Sequence, residues 1–325
     1  MNSKRTEPPL LSIIIPTFNR CKMLDDSLSY LYSLNQEYVF DLIICNNAST
    51  DDTLNVIGKW KDQFNNFRVI NHSTNLLYDR NFASGYRCVE TQYCWLLGDS
   101  YYIDIENYRK VIYILNTQKP QALIINDSDK SLKQDNHIYT NCNDLLHDVG
   151  WYTTLLSSCI IKKEFLSEER FNRYYDTFFL HEGVFFDYLS TCDVINVYMV
   201  SSIHMNEIKS ENKYTSGWRK TPFLVFGKCW YSFIMSLPYK YKVENKLFCI
   251  KEHNKRRFIL NPRTILKNKM LGVFQYEDYP DARSYLKYVV DEPIIIYDLI
   301  YHFPPVPRLC SVLLKIKRFI SKPFL

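Results

Sequence analysis

Short apolar runs alternate with segments of helical periodicity through the first 200 residues of this 325-residue chain. Strands are predicted where the runs are short and continuous, at residues 11–16, 40–46, 67–71, 93–98, 122–126 and 194–204. Helices are predicted where apolar residues recur every three or four positions, at residues 22–34, 50–64 and 79–91. This alternation predicts an α/β protein whose mostly parallel sheet is flanked by helices.

Ligands of such sheets bind at the carboxyl ends of the strands. Four polar loops follow predicted strands, at residues 16–20, 46–52, 71–81 and 98–102. In the second loop Asn47 can pair with the edge of a base, whereas Ser49, Thr50 and Asp51 can equally cap the next helix. The loops together predict a nucleotide site at this edge.

The alternation ends near residue 205, and aromatic, basic and helical segments follow. We therefore expect one domain over residues 1–205 and a smaller, mainly helical lobe over residues 206–325. Residues 1–200 carry a net charge of −7, and residues 201–325 carry +12, with 22 basic and 10 acidic side chains. The basic lobe is either a solvated surface or a surface that meets an anionic partner.

The last residues predict a basic amphipathic helix. Its apolar face consists of Leu309, Val312, Leu313, Ile316, Phe319 and Ile320. Such a helix with an aromatic residue fits a membrane interface better than nucleic acid, so no nucleic-acid partner is expected. Packing on its own domain is the alternative.

The ten cysteines form neither a CxxC pair nor a zinc spacing. Together with the lack of a secretory signal or a long apolar span, they predict buried thiols in a reducing cytoplasm. The expected location is the cytoplasm, peripheral to the inner face of the cell membrane.

Four motifs resemble the inverting GT-A glycosyltransferases of glycosyltransferase family two. The opening "LSIIIPTFNR" resembles the first strand and turn of that family, and "NNASTDDT" its acidic loop with the two leading aspartates replaced. "NLLYDRNFASG" resembles its Asn-x-Gly…Arg-Asn segment with Leu77 in place of glycine, and "YCWLLGDSY" its carboxylate-bearing strand. Over residues 9–205 the chain looks most like bacterial transferases of O-antigen or capsular polysaccharide, such as abequosyltransferases.

The resemblance implies a GT-A (Rossmann-like) fold and a set of donor-binding residues. Thr17 and Phe18 would shape the base pocket, Asn47 would contact the base, and Arg80 would lie near base or phosphate. The full set is Pro16, Thr17, Phe18, Asn19, Arg20, Asn47, Asp51, Asn75, Arg80, Asp99 and Ser100. A surface salt bridge is the alternative for Arg80, and a helix cap is the alternative for Asp51.

In the family the last carboxylate of the triplet usually binds the divalent metal, and here that position is Tyr101. Three alternatives follow. Asp99 can hold a weakened Mn²⁺ or Mg²⁺ site with help from Asp104 or His204, the enzyme can work without a metal, or the chain can be an inactive copy. Without a good metal site, Arg219 and Lys220 are the candidates to neutralise the leaving diphosphate.

An inverting transfer needs a carboxylate that takes the proton of the acceptor hydroxyl. The resemblance puts this general base at the start of a helix, which residues 178–190 predict. We expect Glu182 to be the base, on an exposed turn before the helix, with Asp187 as the alternative.

The predicted function is transfer of a sugar from a nucleotide-sugar donor to a surface-polysaccharide acceptor. This acceptor is a growing glycan or a glycan carried on a polyprenyl diphosphate. The basic lobe would keep the enzyme at the membrane. A non-catalytic relative within a glycan assembly complex is the alternative. A sugar nucleotidylyltransferase and an NAD-binding protein are disfavoured, because "PTFNRCK" has no glycine and no GxGxxG occurs.

Overall fold

The computed structural model describes residues 8–127, 136–209, 217–270, 272 and 276–302. The described chain forms two compact units. The first contains the described residues up to 209 and also residues 237–245, and the second contains the remaining described residues. The return of residues 237–245 to the first unit was not predicted from the sequence.

The first unit alternates strands and helices, as the hydrophobic pattern predicts. Its strands are β1 (Leu11–Thr17), β2 (Asp41–Asn46), β3 (Phe67–Asn71), β4 (Tyr93–Leu96), β5 (Tyr101–Tyr102), β6 (Ala122–Asp127), β7 (His137–Tyr139), β8 (Cys159–Lys162) and β9 (Val197–Glu207). Its helices are α1 (Cys21–Asn35), α2 (Thr53–Lys61), α3 (Leu77–Arg87), α4 (Ile105–Thr117), α5 (Cys142–Val149), α6 (Glu168–Tyr174) and α7 (Leu180–Ser190).

The described strands form one mixed sheet in the order β3-β2-β1-β4-β8-β6-β9-β5, and β7 also pairs with β9. The pairs β1–β2, β1–β4, β2–β3 and β6–β9 are parallel, whereas β8 runs antiparallel between β4 and β6. The fold is therefore the mostly parallel, helix-flanked sheet that the sequence predicts. The short strands β5, β7 and β8 were not predicted.

The register brings the polar loops to one edge. Thr17 pairs with Asn46, and Asn46 pairs with Asn71, so β1, β2 and β3 end side by side. Every residue of β1 and β2 is buried, because helices cover both faces of the central sheet. The core is built from branched aliphatic residues of these strands with Leu24, Leu28, Leu31 and Trp95 packed against them. This core holds the strands in place and so fixes the edge of the sheet from which the polar loops extend.

The second unit is helical. Its elements are a turn of 3₁₀ helix (Gly217–Lys220), a π-helical turn (Leu224–Cys229), α8 (Trp230–Ser236), most of α9 (Val243–Arg257), α10 (Pro262–Met270), α11 (Tyr279–Val289) and α12 (Ile294–His302). Its core contains the buried rings of Phe223, Trp230, Tyr279 and Tyr297. The mainly helical character agrees with the predicted lobe. The predicted amphipathic helix at residues 309–320 lies outside the described residues.

Among the described helices, none combines the length and the apolar character that crossing a lipid bilayer requires.

Candidate functional site

Hydrogen bonds join the loop after β1 to the loop after β2. The backbone N–H of Asn19 donates to Ser49 Oγ at 2.9 Å, and Asn19 Oδ1 accepts from the backbone N–H of Thr50 at 2.7 Å. Asn19 has a φ of 51° and Ala48 one of 59°, and both lie in the left-handed region. Strained backbone that neighbouring structure holds in place is a common feature of functional sites.

Asp51 connects the same two loops to their helices. One carboxylate oxygen accepts from the backbone N–H of Cys21 at the start of α1, at 3.0 Å. The other accepts from the backbone N–H of Thr53 at the start of α2, at 3.1 Å. Burial raises the pKa of Asp51, but the hydrogen bonds from Thr53 and Cys21 outweigh it and hold the pKa below its ordinary value. Helix capping therefore accounts for the geometry of Asp51.

Three of the predicted donor-binding residues meet at the end of β4. Arg20 Nη1 lies 2.5 Å from Asp99 Oδ1, and Thr17 Oγ1 donates to Asp99 Oδ2 at 3.2 Å. Asp99 is only 3% exposed. Burial raises its pKa to about 6, against the lowering effect of Arg20 and Thr17. The end of β4 thus carries a buried carboxylate paired with a partly exposed guanidinium.

Asn47 is buried and uses its amide within the protein. Its Nδ2 donates to Asn75 Oδ1 at 2.9 Å and to the Leu77 carbonyl at 3.1 Å, and its Oδ1 accepts from the Leu76 N–H at 2.8 Å. Both amide hydrogens are therefore committed to the loop before α3. The predicted contact between Asn47 and a base stays a prediction, and one lone pair of Oδ1 is its remaining capacity.

Leu77 occupies the position of the family glycine and has a φ of 62°. This is the left-handed conformation for which glycine is the usual residue. Its side chain is 60% exposed, and the side chain of Phe18 in the loop after β1 is 41% exposed. The edge therefore presents apolar side chains to solvent. Pro16 is buried within β1.

Tyr101 takes part in the sheet and not in a carboxylate cluster. It pairs with Glu207, as the first residue of β5, and the carbonyl of Ser100 accepts from the Ile208 N–H at 2.8 Å. The strand β4 ends before Gly98 and so earlier than predicted, because the N–H of Gly98 donates to Ser157 Oγ at 2.9 Å. The residues after Asp99 thus turn back to join β9.

Of the two side chains proposed to help a metal, Asp104 has another partner. It caps α4, since its Oδ1 accepts from the Asn107 N–H at 2.8 Å. His204 is held in β9 by its backbone, whose N–H donates to Asn107 Oδ1 at 3.4 Å, whereas its side-chain Nδ1 is buried without a hydrogen-bond partner among the described residues. Within the described ranges, no group of three His, Cys, Asp or Glu side chains is arranged to hold a metal ion. The residues present therefore do not fit a metal held by several protein ligands, and a cation at Asp99 would have to displace Arg20 or share the carboxylate with it.

Arg80 forms a bidentate ion pair with Asp176, with Nη2 and Oδ2 at 3.0 Å. Its guanidinium also lies 4.8 Å from the ring centre of Tyr175. The surface salt bridge, the alternative considered for Arg80, is thus present. A role near base or phosphate stays a prediction.

Glu182 does not lie on an exposed turn before a helix, as predicted, but within the first turn of α7. It is 1% exposed, and its Oε1 accepts from Thr153 Oγ1 at 2.7 Å. The helix starts at Leu180, so it already includes Glu182, and a carboxylate from another helix, Asp79 of α3, accepts from the Leu180 N–H at 3.2 Å. The prediction of exposure was therefore wrong.

The segment between α5 and β8 links Glu182 to the edge that carries Asp99. Thr153 of this segment binds Glu182, and Ser157 of the same segment binds the N–H of Gly98, next to Asp99. Neither residue was identified from the sequence. Both lie in the stretch "TTLLSS", whose hydroxyl side chains by themselves assign no role to a single residue.

Asp187 is surrounded by donors. Arg170 Nε lies 3.2 Å from its Oδ1, and Arg173 Nη1 and the Tyr174 hydroxyl both lie 3.0 Å from its Oδ2. Its side chain is buried. Two guanidinium groups and a phenol hydroxyl thus occupy both oxygens of this carboxylate.

The predicted diphosphate partners belong to the second unit. Lys220 is exposed in the 3₁₀ turn, and the side chain of Arg219 lies outside the described residues. Their role stays a prediction.

Comparison with solved structures identifies the fold class. The S. aureus TarS fragment 1–349, solved in complex with UDP-GlcNAc, matches with a TM-score of 0.60 and 16% identity, over 89% of this chain and 83% of that one. A mannosyltransferase of Pyrobaculum calidifontis, PcManGT, solved with GDP-Man and Mn²⁺, matches with a TM-score of 0.54 and 12% identity, over 98% of this chain and 82% of that one. The sheet and its flanking helices are thus the GT-A fold of glycosyltransferases.

Sequence comparison supports the same class of protein. The family described as Glycosyl transferase family 2 matches residues 12–143 of this chain. The abequosyltransferase RfbV of Salmonella typhimurium strain LT2 is 30% identical over 180 residues, which cover 48% of this chain and 53% of that protein. The chondroitin synthase of Pasteurella multocida strain Pm70 is 36% identical over 53 residues, 16% of this chain and 6% of that protein. The chain thus spans about half the length of the first relative and a small part of the second.

Proposed function

We propose that the chain transfers a sugar, with inversion, from a nucleotide-sugar donor to a growing or lipid-linked surface glycan. The observation that supports this most directly is the buried carboxylate of Glu182 in the first turn of α7, connected through Thr153 and Ser157 to the strand end that carries Asp99. An inverting transfer requires a carboxylate as general base, and this one is connected to the edge at which we expect the nucleotide. The match to the glycosyltransferase family model and the resemblance to an abequosyltransferase support the reaction class.

In the proposed reaction the acceptor hydroxyl attacks the anomeric carbon of the donor sugar as Glu182 takes its proton. The bond between that carbon and the diphosphate oxygen breaks, and the electron pair leaves with the nucleoside diphosphate. Asp187 is the less accessible candidate, because Arg170 and Arg173 already bind its two oxygens. Arg20, which pairs with Asp99 after β4, is a candidate to neutralise the leaving group. The same role for Arg219 and Lys220 stays a prediction from the sequence.

The acceptor is proposed to be carried on a polyprenyl diphosphate at the inner face of the cell membrane. The net charge of +12 over residues 201–325 supports attraction to anionic lipid and to a diphosphate. The protein would then act in the cytoplasm as a peripheral membrane enzyme. Because the relative is named an abequosyltransferase, we expect the acceptor to belong to O-antigen rather than to a capsule.

The test begins with calorimetric titration of UDP, CDP, GDP and dTDP into the purified chain, each with Mn²⁺ and with EDTA. The nucleotide that binds identifies the donor class, and the EDTA arm measures what a metal adds at Asp99. Transfer from the matching nucleotide sugars is then measured for wild type, Glu182→Gln and Glu169→Gln. Glu169 is a matched control, since it is an exposed carboxylate of α6.

We expect Glu182→Gln to lower kcat by two to four powers of ten without loss of donor affinity, and Glu169→Gln to leave kcat unchanged. Transfer that survives Glu182→Gln would exclude Glu182 as the base. The second candidate function is that of a non-catalytic relative, and it is favoured by the pairing of Tyr101 with Glu207 in place of a metal-binding carboxylate. Nucleotide binding without transfer to any glycan acceptor would select it.

A further inference from the structure

The loop that leads into α7 has an unusual backbone. Asp176 has a φ of 64° and Phe178 a φ of 70°, both in the left-handed region that non-glycine residues avoid. Such a backbone conformation is strained and persists only where the surroundings fix it. The entry into the helix that carries Glu182 therefore needs an external constraint.

Asp79 supplies this constraint from α3. Its Oδ2 accepts from the Phe178 N–H at 2.9 Å, and its Oδ1 accepts from the Leu180 N–H at 3.2 Å. The N-cap residue of α7, Phe179, makes no capping hydrogen bond with its own side chain. Asp79 is 4% exposed and is separated from these amides by about 100 residues of sequence. A distant carboxylate therefore caps α7 where a local side chain usually does.

The helix that carries Asp79 also contacts the donor edge. The residue just before α3, Leu76, and its first residue, Leu77, are held by the amide of Asn47. Four consecutive residues, 76–79, thus connect the loop after β2 with the first turn of α7.

We propose that Asp79 is a positioning residue, which holds the first turn of α7 in register with the donor edge and so fixes the place of Glu182. Glu182 is the third residue of α7, and the two amides that Asp79 binds lie two and four residues before it. A shift of this turn by about 1 Å would move the carboxylate off the acceptor hydroxyl. The inference rests on the proposed role of Glu182 as the base.

Burial and hydrogen bonding agree with this role. Burial raises the pKa of Asp79 to about 6, and the backbone N–H groups of Phe178 and Leu180 act against the rise. The ion pair between Arg80 and Asp176 holds the same loop from outside but does not touch the amides of α7. Asp176→Asn is therefore a matched control, because asparagine tolerates the left-handed backbone.

The experiment compares Asp79→Ala, Asp79→Asn and Asp176→Asn in the full chain. The near-isosteric Asp79→Asn keeps a folded comparison if the alanine variant does not fold. Hydrogen exchange of the peptide covering residues 176–184, followed by mass spectrometry, reports on the amides of α7 without use of activity. Nucleotide titration gives the fraction of competent sites, by which kcat is normalised.

We expect both Asp79 variants to speed exchange in this peptide and Asp79→Ala to lower kcat by on the order of ten- to a hundredfold, with donor KM within about twofold of wild type. Asp176→Asn should change neither. Unchanged exchange, or equal losses in donor affinity and kcat, would overturn the inference. If Glu182→Gln abolishes transfer while Asp79→Ala leaves kcat intact, the inference fails and the proposed function stands. If Glu182→Gln stays active, the base assignment fails, and exchange alone decides whether Asp79 holds the turn.

Discussion

Arg20 and Asp99 lie 79 positions apart in the sequence and meet at 2.5 Å at the end of the sheet. Arg20 follows β1 and Asp99 follows β4, and these two strands are parallel neighbours, so their carboxyl ends share one edge. The side chain of Asp99 is almost fully buried, whereas that of Arg20 is partly exposed. The pair therefore couples a desolvated carboxylate to a cation that a ligand can reach.

The pH dependence of stability reveals whether burial or the Arg20 ion pair has the larger effect on the pKa of Asp99. With a folded-state pKa of about 6 and an ordinary value of 3.8, the native state keeps its proton to a higher pH than the unfolded state. The native state then binds more protons between about pH 4 and 6, and wild-type stability falls as pH rises through this window. The fall at this one site is on the order of 2–3 kcal/mol.

Asp99→Asn has no carboxyl group at this position and therefore does not lose stability in this way. Its unfolding free energy should rise relative to that of wild type as pH rises from 4 to 7. Denaturant titrations at four pH values measure the difference. An unfolding free energy of Asp99→Asn that falls relative to wild type as pH rises would instead mean that the Arg20 ion pair lowers the pKa of Asp99 below its ordinary value.

Asn47→Asp separates two roles of the loop after β2. The carboxylate would lose both donors and face Asn75 Oδ1 and the Leu77 carbonyl, which now accept from Asn47. We expect a loss of about 1–3 kcal/mol in unfolding free energy and equally weakened binding of all nucleotides. A stable variant with a new preference for one nucleotide would instead identify residue 47 as a base contact.

The strand-and-helix pattern and the four edge loops were predictable, because burial of β1 and β2 on both faces leaves continuous apolar runs. The GT-A fold and the family resemblance were confirmed. The position of β8 was not predictable, since an antiparallel strand inserted between β4 and β6 has the same local pattern as a parallel one.

The buried charges of the site escaped prediction for another reason. Asp79 and Glu182 occupy helical positions where a carboxylate usually faces solvent, and their partners are distant in sequence. Only tertiary structure shows that Asp79 meets two backbone amides and that Glu182 meets Thr153. Leu77 was different, because its replacement of the family glycine already marked the position where the backbone is left-handed.

Leu77→Gly should stabilise the protein. The left-handed backbone at residue 77 costs a non-glycine residue about 1 kcal/mol, and the exposed side chain loses little packing. The greater freedom of glycine in the unfolded chain offsets part of the gain, so we expect an increase of up to about 1 kcal/mol in unfolding free energy. The matched control is Leu54→Gly, at a similarly exposed position in α2, which should cost about 1 kcal/mol. Equal losses in both variants, measured by chemical denaturation, would show that residue 77 carries no strain.

Gly183→Ala should destabilise the helix that carries Glu182. A Cβ at residue 183 would overlap the ring of Tyr174, whose hydroxyl is held by Asp187, so the ring cannot move without loss of that bond. We expect a loss of about 1–3 kcal/mol and a lower kcat, because α7 would have to shift away from α6. Gly58→Ala is the control: it lies in α2 with open space around the added methyl group, and it should stabilise by up to about 1 kcal/mol. If Gly183→Ala matched Gly58→Ala in thermal unfolding and in kcat, close packing of α6 on α7 would not be what holds Glu182 in place.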